Sequence, residues 1–264
     1  MMNPREVFTR LRQESRPYRF VMSRLLWRSG FSHHFVVRRN GYRVRFHPSA
    51  VSAGTWTEPD TTSQEEAFVA SRLRQGDCYV DVGSNIGLLA LRAATVVGPA
   101  GRVIAIEAHP RTYRFLVDNV ALNAFSWVQP MHCAVGKETG TLMFSDELSD
   151  DQNHVVVEGT GVEVPVERLD DLVPDGPIAL LKVDVEGFEL PVLLGAPRVL
   201  ARTRCILLES WDEHAARYGF TVANVAALLR DSGFTIFRFA GDGLQPVVGA
   251  VSSSRCENLV AIRE

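Results

Sequence analysis

Residues 81–87 read DVGSNIG, and they place an aspartate, an asparagine and two glycines directly behind a short apolar run. The residues around this stretch predict a strand at 78–83 (CYVDVG) and a helix at 85–97 (NIGLLALRAATVV). Ligands of an open parallel sheet bind beyond the carboxyl ends of its strands, which is where the stretch would lie. DVGSNIG is therefore either a loop that binds a cofactor or a tight turn between a strand and a helix.

Predicted strands and helices continue to alternate after this point. Further strands are predicted at 102–108, within 127–135, at 178–185 and at 205–210, and further helices at 110–122, 187–195 and 222–232. The strands predicted at 234–240 and 256–263 are separated only by a glycine-rich link, so they should be antiparallel. The pattern predicts a Rossmann-like α/β fold, in which seven strands form a mostly parallel sheet with helices on both faces and an antiparallel last strand. Two extra strands, at 140–144 and 162–169, are expected around a polar loop at 145–154.

The first 64 residues follow a different pattern. Residues 4–29 predict one or two amphipathic helices broken near Pro17, and residues 35–47 predict a hairpin that turns at Asn40-Gly41. Residues 48–64 are rich in Ser, Thr, Pro and Gly and predict a loop, and a short helix is predicted at 65–74. We therefore divide the chain into a basic helical and hairpin extension, 1–64, and an α/β cofactor-binding domain, 65–264.

Charge is distributed unevenly along the chain. The net charge is -3, but residues 1–50 hold eleven arginines and two glutamates. Such a basic segment could bind nucleic acid, an anionic lipid surface or an acidic substrate. The interpretation we favour is that its arginines pair with the acidic remainder or are simply solvated. No apolar run is long enough to span a bilayer, and the N-terminus lacks the apolar core of a signal peptide, so a cytoplasmic location with reduced cysteines is expected.

The chemistry of DVGSNIG favours a nucleoside cofactor with a positive charge. Gly83 and Gly87 allow the backbone to approach a ligand closely, and Asn85 is placed to cap the next helix. Glu107 ends the second strand, where a carboxylate can accept hydrogen bonds from ribose hydroxyls. Asp81 would repel a diphosphate, and the glycine spacing differs from the dinucleotide pattern GxGxxG. S-adenosylmethionine, which carries a sulfonium and an amino group, fits these residues better than a nicotinamide dinucleotide.

Three stretches resemble the FkbM-type S-adenosylmethionine-dependent methyltransferases. They are DVGSNIG, IEAHPRTYRFLVDNVALN (106–123), and VPVERLDDL followed by ALLKVDVEGFELPVLLGA (179–196). The resemblance covers roughly residues 77–210, and it departs from the commoner pattern at Ser84 and His109. It implies the class I methyltransferase sheet and methyl transfer from S-adenosylmethionine, usually to an oxygen of a sugar, polyketide or other secondary metabolite. The predicted cofactor-binding residues are Asp81, Gly83, Ser84, Asn85, Gly87, Glu107 and Ala134.

The acceptor should bind at the ends of the fourth and fifth parallel strands. The predicted catalytic residues there are Asp184, Glu209 and His214. Asp184 could act as a base, bind the acceptor, or join Glu209 in holding a metal, although two carboxylates underfill a magnesium site and no metal is expected. A helix-dipole role is favoured for Glu189, and a turn is an equal alternative for Glu186-Gly187. Other side chains considered for this region are His132, His154, Lys182, Trp56 and Trp211.

The expected partner is a small-molecule hydroxyl acceptor. No nucleic acid is expected, while a homo-oligomer and a peripheral membrane contact through the basic N-terminus are left open. Two alternatives compete with the methyltransferase hypothesis. One is a nicotinamide-dependent oxidoreductase, and the other is a non-catalytic protein that binds nucleic acid or membrane through its arginine-rich N-terminus.

Overall fold

The computed structural model of the protein describes residues 16–146, 153–156, 159–241 and 243–263. Its strands are Val36–Arg39 (β1), Tyr42–Arg45 (β2), Cys78–Val82 (β3), Arg102–Glu107 (β4), Val128–His132 (β5), Ala134–Val135 (β6), Gly140–Phe144 (β7), Val155–Val156 (β8), Val162–Glu167 (β9), Ile178–Val183 (β10), Thr203–Ser210 (β11), Thr235–Ala240 (β12), Gly243–Pro246 (β13) and Glu257–Ile262 (β14). Its helices are Pro17–Ser29 (α1), Ala50–Thr57 (α2), Gln64–Arg72 (α3), Leu88–Val97 (α4), Pro110–Asn123 (α5), Leu169–Leu172 (α6), Glu189–Leu194 (α7), Pro197–Ala201 (α8), Asp212–Ala216 (α9) and Val222–Asp231 (α10), and a 3-10 turn spans Ser32–His34.

The main sheet has the strand order β13-β12-β14-β11-β10-β3-β4-β5. Strands β11, β10, β3, β4 and β5 pair in parallel, whereas β14 is antiparallel to both β11 and β12. The predicted mostly parallel sheet with an antiparallel last strand is therefore confirmed. The count of seven strands is corrected to eight, because part of the glycine-rich link forms β13 and pairs with β12. This short strand ends at Pro246, a residue that edge strands tolerate because they leave backbone donors unpaired.

Apolar side chains cover both faces of this sheet. Successive residues of a strand point to opposite faces, and Tyr79 and Val80 of β3 accordingly belong to two different apolar clusters, as do Leu180 and Leu181 of β10. All four are fully buried. The parallel strands thus form the middle layer of a three-layer sandwich, and their carboxyl ends open on the edge where residues 81–87 lie.

A second, smaller sheet forms at that edge. Its strand order is β6-β9-β7-β8, in which β6 pairs in parallel with β9, and β7 is antiparallel to β9 and β8. The extra strands expected at 140–144 and 162–169 are confirmed by β7 and β9. Most of the polar loop predicted between them, residues 147–152, lies outside the described residues.

The described N-terminal segment contains one expected element and one correction. The hairpin is confirmed, and β1 pairs with β2 through a turn at Asn40-Gly41. Residues 48–64 were predicted as a loop, but they contain α2. The Ser49 side chain accepts a hydrogen bond from the backbone N–H of Ser52 and caps this helix, while the hydroxyl of Thr55 bonds the carbonyl of Val51 within it. Ser and Thr residues that predicted a loop from the sequence thus form their side-chain hydrogen bonds within or at the start of a helix. Residues 1–15, which include the first predicted helical stretch, lie outside the described residues.

Two asparagines attach the hairpin to the α/β domain. Asn119 and Asn123 lie one helical turn apart on α5, and their side-chain oxygens accept hydrogen bonds from the backbone N–H groups of Arg45 (2.8 Å) and Arg43 (2.7 Å). Asn123 also donates to the carbonyl of Arg43 at 2.7 Å. The side-chain amides therefore serve as a partner for the edge of β2. The division of the chain at residue 64 stays a prediction, and these bonds cross it.

Three arginines of the described N-terminal segment are paired with acidic residues. Arg39 forms a buried ion pair with Glu66 at the start of α3, and Arg45 contacts Asp118 of α5 at 3.1 Å. Arg16 contacts Asp60 at 2.6 Å. These contacts favour the interpretation that the basic segment serves the fold. Within the described ranges, no helix combines the length and apolar character needed to cross a bilayer.

Candidate active site

A cavity of about 360 Å³ opens at the carboxyl ends of β3, β4 and β10. It is lined by six of the seven predicted cofactor residues and by two of the three predicted catalytic ones. The cofactor residues are Asp81, Gly83, Ser84, Asn85, Glu107 and Ala134, and the catalytic ones are Asp184 and Glu209. Gly87 and His214 are not part of the lining. Residues far apart in the sequence thus meet at one site because parallel strands end at the same edge.

The two glycines of the 81–87 loop have different structural requirements. Gly83 has a φ of 77°, and a Cβ there would lie 1.8 Å from the carbonyl oxygen of Asp184. Gly87 has a φ of 93°, and a Cβ there would lie 2.6 Å from Leu116 Cδ1 on α5. Gly83 therefore allows the loops after β3 and β10 to touch beside the cavity, whereas Gly87 allows α5 to pack on the loop.

Asn85 does not cap the following helix as predicted. Gly87 is the N-cap residue of α4, and it makes no side-chain cap. Asn85 instead has a φ of 50°, and its side-chain oxygen accepts a hydrogen bond from the backbone N–H of Ile86 at 2.7 Å. Asn85 thus lies two residues before the N-cap, and its side chain hydrogen-bonds within the loop that lines the cavity.

Lys182 lies between two aspartates in the floor of the cavity. Its Nζ is 3.1 Å from Asp184 Oδ2 and 3.5 Å from Asp81 Oδ1, and it donates a hydrogen bond to the carbonyl of Gly83 at 2.7 Å. Burial acts to lower the pKa of Lys182, but Asp184 and Asp81 outweigh it and the pKa is raised. Burial raises the pKa of Asp81, with Lys182 opposing the shift. One ammonium therefore faces two carboxylates.

Glu107 is fixed by backbone hydrogen bonds at the end of β4. Its two carboxylate oxygens accept from the N–H groups of Asn85 and His109, each at 2.9 Å. Burial raises the pKa of Glu107 to about 7, although both hydrogen bonds favour the charged form. Each carboxylate oxygen has a second lone pair, so Glu107 can still accept hydrogen bonds from a ligand in the cavity.

The segment VDVEGFE, residues 183–189, forms a tight loop between β10 and α7. Glu186 has a φ of 55° and Gly187 has a φ of 100°. Glu189 is buried, and its carboxylate accepts hydrogen bonds from the N–H groups of Gly187 (3.0 Å) and Val185 (3.3 Å). Burial raises the pKa of Glu189 to about 7. Glu189 therefore shapes the loop that carries Asp184 and Glu186, which is more than the helix-dipole role predicted for it.

Glu186, Glu209 and His214 form a polar cluster beside the cavity. Glu186 Oε2 is 3.2 Å from His214 Nδ1, and the thiol of Cys256 donates a hydrogen bond to Glu209 at 3.0 Å. Burial, followed by the negative charges of Asp184 and Glu186, raises the pKa of Glu209 well above its usual range. Burial lowers the pKa of His214. The predicted catalytic residues Glu209 and His214 are thus brought together, with Glu186 as a third member.

Three other side chains considered in the sequence, Trp56, His132 and Trp211, do not line the cavity. Trp56 packs edge-on against Phe35 and Phe46 in a small apolar cluster, and the ring of His132 stacks on Tyr113. Trp211 contacts the ring of His214, with 4.0 Å between the centroids. The four cysteines are free thiols as expected, but Cys256 is exposed.

Sequence reasoning missed one wall of the cavity. Phe144 of β7, Asn153 and Val155 of β8 line it from the smaller sheet, and Phe188 lines it from the loop before α7. The extra strands were visible in the sequence. Their position over the cavity depends on the pairing of β6 with β9, which no local pattern indicates.

Comparison with known proteins identifies the family. The family model of the methyltransferase FkbM domain matches residues 81–236. The chain is 33% identical over 223 residues to methyltransferase sdnD of Sordaria araneosa, a match that covers 66% of this chain and 84% of that protein. It is 30% identical over 201 residues to the 31-O-demethyl-FK506 methyltransferase FkbM of Streptomyces tacrolimicus, with 62% of this chain and 75% of that protein covered.

Two further comparisons are more distant. The hexuronic acid methyltransferase AglP of Haloferax volcanii is 27% identical over 180 residues, with 66% of this chain and 73% of that protein covered. The crystal structure of a methyltransferase FkbM from Methylobacillus flagellatus KT gives a TM-score of 0.47 at 17% identity, over 97% of this chain and 58% of that chain. The resemblance seen in the sequence is confirmed by the family match, which spans more than half of the chain and includes both the 81–87 loop and the VDVEGFE segment. This protein belongs to the FkbM methyltransferase family.

Proposed function

We propose that the cavity binds S-adenosylmethionine and that the enzyme transfers its methyl group to a hydroxyl oxygen of a small acceptor, such as a sugar or a polyketide-like metabolite. The observation that carries the cofactor assignment is the buried negative charge around Lys182. Asp81 is fully buried, and neither of its carboxylate oxygens accepts a hydrogen bond from the residues that the structure describes. A cationic ligand supplies the positive charge that this cavity lacks.

The arrangement favours a cationic nucleoside over a dinucleotide. Glu107 is held where ribose hydroxyls can donate to it, and the apolar residues Ile106 and Leu89 line the same cavity beside it. Asp81 and Glu107 would both face the diphosphate of a dinucleotide, and charge repulsion in a buried site is costly. The methyltransferase hypothesis is therefore preferred to the oxidoreductase alternative on electrostatic grounds as well as by family.

Asp184 is proposed to orient the acceptor. It lies at the end of β10, lines the cavity, and its side chain is 37% exposed, so a hydroxyl can reach it. Methyl transfer is an in-line displacement whose rate depends on aligning the attacking oxygen with the methyl carbon. The names of two relatives, a hexuronic acid methyltransferase and a 31-O-demethyl-FK506 methyltransferase, support an oxygen-bearing acceptor.

Substitution of Asp184 by asparagine tests this proposal. With methyl-labelled S-adenosylmethionine and an extract of hydroxylated metabolites, we expect Asp184→Asn to lower turnover about 100-fold, as is typical for loss of a positioned polar group. The Kd of S-adenosylhomocysteine should change less than threefold. Asp175→Asn, on an exposed loop, is the matched control and should leave both values unchanged. Full turnover in Asp184→Asn would place the acceptor elsewhere.

Cofactor binding should depend on pH through Glu107. Its pKa of about 7 means that the carboxyl group is increasingly protonated below neutrality and can no longer accept from both ribose hydroxyls. The Kd of S-adenosylhomocysteine, measured by calorimetry, should therefore be constant above pH 8 and rise up to about tenfold for each pH unit below 7. Glu107→Gln should bind more weakly at pH 8 and show no such rise. A flat profile in the wild type would contradict the contact between Glu107 and the ribose.

A further inference from the structure

We infer that Glu186, Glu209 and His214 form a binding site for one divalent transition-metal ion at the acceptor end of the cavity. Each residue offers one ligand atom, and these three atoms lie within 4.8 Å of one another. The sequence led us to expect no metal, because it suggested only Asp184 and Glu209 as ligands. The structure replaces Asp184 with Glu186 and adds an imidazole.

The backbone brings these three residues together. Strands β10 and β11 are parallel neighbours, so the loop after β10 and the helix after β11 begin at the same edge of the sheet. Gly187 is packed against the start of α9 so closely that a Cβ would lie 2.5 Å from the carbonyl carbon of His214. Glu186 immediately precedes this contact, and Glu209 lies near the end of β11. The relative positions of the three residues are therefore set by packed backbone on two adjacent elements.

The spacing of one pair of ligand atoms matches that of two ligands of a single metal ion. Two ligand atoms that each lie about 2.1 Å from one ion, at tetrahedral or octahedral angles, are roughly 3.0–3.5 Å apart. The distance between Glu186 Oε2 and His214 Nδ1 is 3.2 Å. Among the residues that the structure describes, His214 Nδ1 is buried and has no hydrogen-bond partner, and the side chain is only 12% exposed. In the imidazole tautomer that is protonated at Nε2, this Nδ1 carries a lone pair that can bind an ion.

The ligand types indicate the class of ion. An imidazole with two carboxylates suits Mn²⁺, Fe²⁺ or Zn²⁺, whereas Ca²⁺ and Mg²⁺ prefer sites built of oxygen atoms alone. The ion would also offset the negative charge of Glu186 and Glu209, which line the cavity beside Asp184. Three protein ligands leave at least one coordination position for another molecule.

Glu186 and Glu209 line the cavity beside Asp184, whereas His214 is not part of the lining. The open coordination position would therefore face the cavity. A hydroxyl oxygen bound to a divalent ion loses its proton more easily, as metal-bound water does. The ion would thus both position and activate the acceptor hydroxyl, a role that rests on the function proposed above, whereas the binding of the ion does not.

Titration of Mn²⁺ into the full chain, followed by the electron paramagnetic resonance signal of free Mn²⁺, tests the site. We expect one Mn²⁺ per chain, at least tenfold weaker binding in Glu186→Gln and in His214→Gln, and competition by Zn²⁺. Glu213→Gln changes an exposed neighbour of His214 outside the cluster and should bind like the wild type. Thermal unfolding of each variant without metal shows that the fold is retained.

The failure of this inference can be distinguished from failure of the proposed function. S-adenosylhomocysteine is titrated into the same wild-type samples. If the wild type binds S-adenosylhomocysteine but no Mn²⁺, the metal site is ruled out and the cofactor assignment stays in place. Equal Mn²⁺ affinity in wild type, Glu186→Gln and His214→Gln would also overturn it. A wild type that binds Mn²⁺ but does not bind S-adenosylhomocysteine would instead contradict the proposed cofactor.

Discussion

Replacement of Lys182 by methionine should lower the free energy of unfolding of the apoprotein by about 3–5 kcal/mol, the usual loss when one partner of a buried ion pair is removed. Asp81 is fully buried and Lys182 is 6% exposed, so Asp81 would lose its neighbouring cation at a position with little access to water. The variant would leave Asp81 and Asp184 without their shared cation and remove the donor to the carbonyl of Gly83. Urea denaturation at pH 7 measures the loss.

The other lysine of the chain provides a matched control. Lys137 is 63% exposed and pairs with the exposed Glu138, so Lys137→Met should change stability by less than about 0.5 kcal/mol. The double variant Lys182→Met/Asp81→Asn should recover part of the stability, because one buried charge is removed along with its partner. If Lys182→Met lowers the free energy of unfolding no more than Lys137→Met does, the ammonium of Lys182 does not offset the charge of the two aspartates.

Substitution of Gly83 by alanine should cost about 2–5 kcal/mol of stability, the sum of overpacking and of a left-handed φ, and should abolish cofactor binding. The added Cβ would lie 1.8 Å from the carbonyl oxygen of Asp184, and both atoms belong to backbone that cannot rotate away. The φ of 77° adds the strain of an L-residue in the left-handed region. Relief of the contact would separate the ends of β3 and β10, which form the floor of the cavity. Urea denaturation and calorimetry with S-adenosylhomocysteine measure the two effects.

Gly76 separates the steric effect from the effect of φ. It has a φ of 87°, but no atom lies within 4 Å of the position that a Cβ would occupy. Gly76→Ala should therefore lose only about 1–2 kcal/mol. Equal losses in the two variants would mean that backbone conformation alone, and not the contact with Asp184, requires glycine at position 83.

Local patterns in the sequence were sufficient to predict the sheet and several residues that line the cavity. The apolar run before DVGSNIG and the position of Glu107 at the end of the next strand depend only on short spacings along the chain. Because parallel strands end at one edge, these spacings also predicted that Asp81, Glu107 and Asp184 would lie near one another. All three line the cavity.

Features that depend on long-range packing could not be predicted in this way. The sequence shows Asn119 and Asn123 four residues apart on a helix, but it does not show that β2 lies beside them. Likewise, the sequence left open whether Glu186 serves only to form a turn. Its contact with His214 depends on how α9 packs on Gly187, which the sequence does not show. Hydroxyl residues in α2 resembled a loop because their bonds to helical carbonyls appear only once the helix has formed.

The central claim is that the cavity is a site for a cationic nucleoside cofactor, and calorimetric titration of the wild-type protein tests it most directly. S-adenosylmethionine and NAD⁺ are titrated separately at pH 8, where Glu107 is ionised. We predict one S-adenosylmethionine per chain with a Kd in the micromolar range, about -8 kcal/mol, and no measurable heat from NAD⁺ at the same concentrations. Binding of NAD⁺ in the absence of S-adenosylmethionine binding would contradict the account.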